Sequence, residues 1–196
     1  MFTPSTIGPG LLISGEDWRG VERPHLDLSL MDFDQVDLRG SKLDQLIARG
    51  SCFYACAFDG STLRKAVITR WFGDIKIEPH NPLSAPPKLA DGSKWDLSEF
   101  ELVEGDEEAY GQLATHRWTR SADLTACSLR GVDASGVRLE GVSIYECDFS
   151  GANLAGATLS GARLSVVDFS GAVLTGVDFS NVMLDEVNFS GAVGAP

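Results

Sequence analysis

The side chains best suited to metal or nucleophilic chemistry are thiols and imidazoles. The chain has four cysteines and three histidines, at Cys52, Cys56, Cys127, Cys147, His25, His80 and His116. No pair of these residues has the spacing of a zinc site, and the histidines lie in unrelated parts of the chain. We therefore predict no metal site and no cofactor, and we interpret Cys56, Cys127 and Cys147 as small buried hydrophobic residues.

Enzyme motifs are not recognisable in the sequence, which has no glycine-rich phosphate loop, no GxSxG elbow and no HExxH helix. A catalytic function is therefore the less favoured class. It stays open because five residues could wall a small-molecule-binding or catalytic pocket, between residues 73–119 and the rest of the chain, in a protein of natural-product metabolism: Trp71, Trp95, Trp118, His80 and His116. The competing interpretation is that the tryptophans are apolar anchors for an irregular segment.

Carboxylates near the C-terminus form the third group, at Asp148, Asp168, Asp178, Asp185 and Glu186. Two carboxylates held close together raise one pKa by mutual repulsion, which would suit acid–base catalysis. Asp148 and Asp168 belong to a regular surface that is open to solvent, so a solvated acidic face is the preferred interpretation. As a set, the five carboxylates are candidates for binding a protein partner.

A five-residue repeat positions these carboxylates. Every fifth residue from Leu124 to Phe189 is apolar, and the residue two places earlier is small and apolar, as Ala152 is before Leu154. The residue between the two is mostly Asp or Asn, and glycine commonly ends the unit. Each unit is therefore typical of a three-residue strand followed by a turn.

A three-residue strand can bury its inward side chains only if the chain winds into a coil, and successive coils then stack about 4.8 Å apart. The run CDFSGANLAGATLSGARL, moreover, resembles the pentapeptide-repeat family. The resemblance implies an all-β fold, a right-handed quadrilateral β-helix with four units per coil. Residues twenty apart should then stack, in a column of Phe149, Phe169 and Phe189 and another of Leu124, Ile144, Leu164 and Leu184.

The repeat occupies two blocks, residues 26–72 and residues 120–196. Ile68 and Leu124 are 56 residues apart, one more than a multiple of five, so residues 73–119 are predicted to be an insertion packed on the solenoid. A short helix is expected within it, near Glu107 to Leu113. Residues 1–25 are expected to cap the first coil, and the axis to continue from the first block into the second. Without a cap, the last coil is expected to form a two-fold dimer.

The charge is acidic and unevenly distributed. A formal net charge of −12 and a pI of about 4.5 argue against direct binding of nucleic acid. No apolar run approaches the ~20 residues of a membrane span, and no basic residue precedes the short apolar patch at the N-terminus. We therefore expect no membrane contact, and a cytoplasmic setting fits the family resemblance best. Residues 26–70 are neutral overall, whereas residues 121–196 carry a net charge of −6.

That second block has a charge density comparable with that of DNA. Duplex DNA carries one charge per ~1.7 Å of axis, and the block carries one per about 2.8 Å at the coil spacing of a β-solenoid. Some members of the family that the chain resembles imitate DNA and protect or inhibit DNA gyrase and related type II topoisomerases. The leading hypothesis is therefore a non-catalytic DNA mimic that binds gyrase and gives antibiotic resistance or self-immunity. A plain scaffold for another protein is a third alternative.

Overall fold

The computed structural model describes residues 10–77, 101–104 and 114–196. The contacts divide the chain into two compact units. One unit, the solenoid, comprises Met1–Arg70 and Ser121–Pro196, and the other comprises Trp71–Arg120. Among the described residues, none forms a helix long and apolar enough to cross a membrane.

Seven short strands form one parallel sheet in the solenoid, in the order β1-β2-β3-β7-β8-β9-β10. Their bounds are β1 Leu12–Ser14, β2 Asp32–Asp34, β3 Cys52–Tyr54, β7 Asp123–Thr125, β8 Ser143–Tyr145, β9 Arg163–Ser165 and β10 Met183–Asp185. Within each block, every strand pairs in register with the strand twenty residues further along, as Phe33 does with Phe53, and β3 pairs with β7 across the second unit's segment of the chain. The sheet is therefore one side of a coil with about six turns.

Three further sides are formed by single bridges between residues in the same register. They run from Asp17↔Asp37 to Asp168↔Asn188, from Glu22↔Lys42 to Val173↔Val193, and from Asp27↔Ile47 to Thr158↔Asp178. We call the strand sheet face 1 and these three sides faces 2, 3 and 4, in chain order around the coil. Four sides per turn confirm the predicted quadrilateral β-helix.

Left-handed backbone at the corners explains the five-residue period. Within each block a positive φ recurs at every fifth residue, from Gly10 to Lys65 and from Ala126 to Gly191. Glycine adopts this conformation without strain from a Cβ atom. Eleven corner residues are not glycine, among them the β-branched Val166 with a φ of 56°.

The core fills the axis of the coil and contains the predicted columns. The ring centroids of Phe149 and Phe169 are 5.2 Å apart, and those of Phe169 and Phe189 are 5.6 Å apart. The aliphatic column of Leu124, Ile144, Leu164 and Leu184 is likewise in register. Both predicted columns are confirmed.

Regular coiling begins earlier than the sequence suggested. Residues 12–14 already pair with residues 32–34, and Trp18 is buried in the core against the edge of the Phe33 ring. Residues 10–25, which we expected to cap the solenoid, therefore supply its first coil. The pattern is weak there because Glu16 and Arg23 stand at register positions that are inward in later coils, and both residues are exposed.

The second unit contains a three-stranded antiparallel sheet in the order β4-β6-β5. Its strands are β4 Trp71–Ile77, β5 Glu101–Glu104 and β6 Ala114–Arg120. The Thr119 hydroxyl donates a hydrogen bond of 2.8 Å to the Trp71 carbonyl, between the outer strand and the central one. The helix expected near Glu107 to Leu113 lies outside the described residues.

Candidate protein-interaction face

The five carboxylates predicted to bind a partner lie on three adjoining sides of the coil. Asp148 and Asp168 are neighbours on face 2, as predicted from their twenty-residue spacing. Asp185 ends strand β10 on face 1, and Glu186 follows it at the corner with a φ of 50°. Asp178 lies on face 4. The five residues therefore do not share one face, but face 1 stands between the other two.

Several of these carboxylates also stabilise the corners of the coil. Oδ1 of Asp148, of Asp168 and of Asp178 accepts the backbone N–H two residues later, at distances of 2.8, 2.7 and 2.9 Å. The hydrogen bond from Ser180 lowers the pKa of Asp178. Asparagine makes the same turn at Asn188, whose Oδ1 accepts the Ser190 N–H at 3.0 Å. Aspartate and asparagine are thus interchangeable in this structural role, and only aspartate adds charge.

Face 2 carries a ladder of ion pairs that neutralises much of its charge. Arg19 contacts Asp17 at 2.6 Å and Asp37 at 3.6 Å, and Arg39 contacts Asp37 at 2.5 Å. Across the junction between the blocks, Arg130 contacts Asp59 at 3.2 Å and Asp148 at 3.8 Å. The hydrogen bond from Arg39 holds the pKa of Asp37 below its ordinary value.

Face 3 is also largely neutralised. Lys42 contacts Glu22 at 2.5 Å, and Arg64 forms an ion pair with Asp44. Arg64 also lies 4.0 Å from Asp133 in the next coil. A partner that recognises negative charge would find few uncompensated carboxylates on this side.

Face 1 differs, because its outward and corner positions hold six acidic residues and one basic residue. The acidic residues are Asp32, Asp34, Asp123, Glu146, Asp185 and Glu186, and the basic residue is Arg163. Among the described residues, Asp34, Asp123, Glu146, Asp185 and Glu186 form no ion pair. This side of the coil is therefore the one with the greatest excess of uncompensated negative charge.

Exposed apolar side chains are concentrated on the same face. Outward positions or the corner of face 1 hold five of the large exposed hydrophobic residues of the solenoid: Leu12, Tyr54, Tyr145, Val166 and Met183. Face 3 holds Val173 and Val193, and faces 2 and 4 hold none among the described residues. Exposed apolar surface collected on one side of a protein marks an interaction site.

Three of the four cysteines form a buried stack. Cys56, Cys127 and Cys147 are buried as predicted, and Cys127 lies between the other two. The hydrogen bond with Cys127, together with burial, raises the pKa of Cys56. The hydrogen bond with Cys147 raises the pKa of Cys127 to about 12. The same hydrogen bond with Cys127 lowers the pKa of Cys147. The thiols of Cys56 and Cys127 are therefore not ionised near neutral pH and behave as small core residues.

Of the five residues suggested for the alternative pocket, the structure describes the side chain of Trp71 alone. The Trp71 side chain is half-buried, and its carbonyl accepts the hydrogen bond from Thr119. Trp95 and His80 lie outside the described residues, as do the side chains of Trp118 and His116. The suggested ligand or catalytic site on the insertion therefore stays a prediction.

Sequence reasoning missed the acidic residues at the start and centre of face 1: Asp32, Asp34, Asp123 and Glu146. Asp123 lies in register with Cys52, and its Oδ2 is 3.6 Å from the Cys52 Sγ. The signal that could have found these residues is the twenty-residue register, continued across the insertion by a step of 71. Applied to the charged residues, it would have separated face 1 from its neighbours.

Comparisons with known proteins agree with this architecture. A family model described as pentapeptide repeats matches residues 122–161 and 152–191, with eight copies. A solved structure of QnrB1, described as a plasmid-mediated fluoroquinolone resistance protein, is similar with 16% identity and a TM-score of 0.35, over 93% of this chain and 79% of that one. No curated protein matches the sequence.

Two cyanobacterial structures show comparable similarity. Rfr23 from Cyanothece, a pentapeptide-repeat protein, has 16% identity and a TM-score of 0.29 over 94% of this chain and 91% of its own. HetL from Nostoc, described as involved in heterocyst differentiation regulation, has 15% identity and a TM-score of 0.28 over 95% and 90%. Scores this low carry no information about function.

Proposed function

Because this chain is a pentapeptide-repeat protein, with the family model matching residues 122–191, we propose that it is a non-catalytic acidic interaction protein. It imitates DNA in the cytoplasm and binds DNA gyrase or another type II topoisomerase. Binding gives resistance or self-immunity to a compound that targets gyrase. The partner class comes from the family resemblance.

One observation carries the proposal, namely the uncompensated carboxylates of face 1. They are fixed to a backbone of regular rise, and Asp148 and Asp168 on face 2 and Asp178 on face 4 extend the acidic surface around the corners. A cationic groove that accepts the phosphates of DNA is electrostatically complementary to such an array.

A homodimer through the C-terminal coil is part of the proposal. Met183, Leu184 and Val193 are exposed in that coil, whereas Leu164 and Phe169 in the preceding coil are almost fully buried. Strand β10 pairs on one side only, with β9. A second copy would cover both the apolar end and the free strand edge, and would double the length of the acidic surface.

A supercoiling assay with purified gyrase tests the function. We expect the full chain at micromolar concentration to inhibit supercoiling or to protect it from a fluoroquinolone, and to lose the effect as the salt concentration rises. If the chain neither inhibits supercoiling nor protects it at that concentration, the proposal is rejected.

Matched variants test which side of the coil is used. The variant Asp123→Asn, Glu146→Gln, Glu186→Gln removes three charges from face 1. The control Glu22→Gln, Asp44→Asn, Asp133→Asn removes three from face 3, so both have the same net charge. We expect the face 1 variant to lose activity and the face 3 variant to keep it, because the face 3 carboxylates are already compensated by Lys42 and Arg64. An equal loss of activity in both variants would show that the effect depends on net charge and not on face 1.

A further inference from the structure

Two exposed tyrosines form a regular pair on face 1. Tyr54 and Tyr145 occupy the same outward column, with Thr125 paired to both of them. Their side chains are 53% and 44% exposed. At two coil spacings, the backbone positions of the two tyrosines are about 9.6 Å apart along the axis.

Each ring has a carboxylate beside it. Asp34 is the register neighbour of Tyr54, and the covered Oδ1 of Asp34 has no hydrogen-bond partner although Oδ2 accepts the Ser14 hydroxyl at 3.1 Å. A hydrogen bond with Glu146, and the charges of Glu146 and Glu186, raise the pKa of Tyr145. The face therefore presents two combinations of an aromatic ring and a carboxylate.

This combination matches one chemical group, the guanidinium. Arginine stacks on aromatic rings through its planar cation and donates paired hydrogen bonds to a carboxylate. A phosphate or an acidic peptide would be repelled by the six carboxylates of this face. A second copy of face 1 would also be repelled, because Arg163 is its one basic residue at the outward and corner positions.

The spacing specifies the conformation of the ligand. A polyproline II segment rises about 3.1 Å per residue with three residues per turn, so side chains three apart lie on one side at about 9.3 Å. That separation matches the two tyrosines. In a β-strand, residues three apart project to opposite sides.

We propose that face 1 binds an extended Arg-x-x-Arg segment of a partner protein, with one arginine at Tyr54 and Asp34 and the other at Tyr145 and Glu146. The inference deepens the proposed function, and it rests on that function in taking the partner to be a cationic protein. The site adds a specific contact that would orient the partner on face 1, which charge density alone would not do.

Peptide titrations of the isotope-labelled full chain test the inference by NMR. The probe is PPRPPRPP, and the control PPRPPPRP has the same composition with its arginines four apart. We expect the ring resonances of Tyr54 and Tyr145 to shift with the first peptide, and the second to bind more weakly. PPKPPKPP should also bind more weakly, because lysine lacks the planar fork. Equal affinity for the two arginine peptides would overturn the inference.

Variants of the protein separate the rings from the charge. The double variant Tyr54→Ser, Tyr145→Ser keeps every carboxylate, and we expect it to lose about tenfold in affinity for PPRPPRPP. Val173→Ser is the control, since it removes an exposed apolar side chain from face 3 and also keeps every carboxylate. Unchanged affinity in the tyrosine variant, with an unchanged unfolding transition, would overturn the inference.

The two proposals fail in different ways. Suppose that the chain neither inhibits nor protects gyrase, but binds PPRPPRPP more tightly than PPRPPPRP and loses this affinity in the tyrosine variant. The gyrase assignment is then rejected and the arginine site is supported. If the tyrosine variant acts on gyrase as the unmodified chain does and binds both arginine peptides equally, the arginine site falls and the mimicry stands.

Discussion

Phe53 and Leu124 pair directly in adjacent coils of the solenoid, although 71 residues separate them in the sequence. The same step of 71 joins Ala57 to Ser128, Thr62 to Asp133 and Val67 to Arg138. All four sides therefore cross from the first block to the second without a change of register. The second unit interrupts the chain but leaves the axis continuous, as predicted.

This register makes a deletion testable. A coil is twenty residues long, so the chain between Phe53 and Leu124 exceeds one coil by 51 residues. Removing residues 70–120 restores the spacing, and we expect the shortened chain to fold with one cooperative transition. Removing residues 71–120 leaves one residue too many, which forces a bulge at the corner and lowers the free energy of unfolding. Circular dichroism and denaturant unfolding distinguish them, and equal stability would contradict the register argument.

The corner at Val166 predicts a stabilising substitution. Val166 has a φ of 56° and its side chain is exposed, so the valine strains the backbone without burying much surface. We expect Val166→Gly to raise the free energy of unfolding by about 1 kcal/mol, because glycine removes the left-handed penalty. The control Val173→Gly, at an exposed position of the coil without positive φ, should be destabilising. Urea titrations measure the free energy of unfolding of both variants. A lower value for Val166→Gly than for the unmodified chain would contradict the proposed backbone strain at Val166.

Two buried serines provide a matched pair. The Ser51 hydroxyl donates to the Leu28 carbonyl at 2.6 Å, whereas the buried hydroxyl of Ser61 has no hydrogen-bond partner. Ser51→Ala should therefore cost about 1 kcal/mol and leave a carbonyl unpaired. Ser61→Ala should be neutral or stabilising, since Ala152 and Ala172 occupy the same column. Thermal unfolding checks the order of the two, and a greater loss in Ser61→Ala would contradict it.

The core was predictable from sequence because burial imposes one rule on every coil. Phe149, Phe169 and Phe189 follow from their spacing, since no inward position of residues 26–68 or 122–189 holds a charged residue. The contact of Cys56 with Cys127 did not follow from the twenty-residue spacing, because the insertion places these two neighbouring residues 71 positions apart in the sequence. The interaction face was less predictable, because its charge depends on which arginine reaches which carboxylate. Arg130 compensates Asp59 and Asp148, for example, and the repeat does not specify which residue type stands at its position.

Acid should weaken the solenoid through its ion-pair ladder. Arg39 lowers the pKa of Asp37, and Arg64 lowers that of Asp44. A carboxyl whose folded pKa is depressed stabilises the fold above its unfolded value of about 3.9. That contribution is lost as the pH falls from there through the folded pKa. We expect the free energy of unfolding to fall below about pH 4.

The control for this prediction is Arg39→Gln, which removes the cause of the shift at Asp37. Its unfolding free energy should depend less on pH in the same acidic range. High salt should also flatten the profile, because these pairs are partly exposed. A profile that is identical in the variant and the unmodified chain would show that the ladder does not contribute.

The proposed dimer depends on the apolar end of the last coil. Leu184 is 47% exposed there, whereas Leu164, its neighbour in the same column, is 1% exposed. We expect Leu184→Asp to separate the subunits, because a carboxylate at a closed interface would be desolvated without a partner. Leu12→Asp is the control, since Leu12 is also exposed on face 1 but lies in the first coil. Small-angle scattering at micromolar concentration should give a dimer for the unmodified chain and for Leu12→Asp, and a monomer for Leu184→Asp. A monomeric unmodified chain would reject the dimer and confine the acidic surface to the solenoid of one subunit.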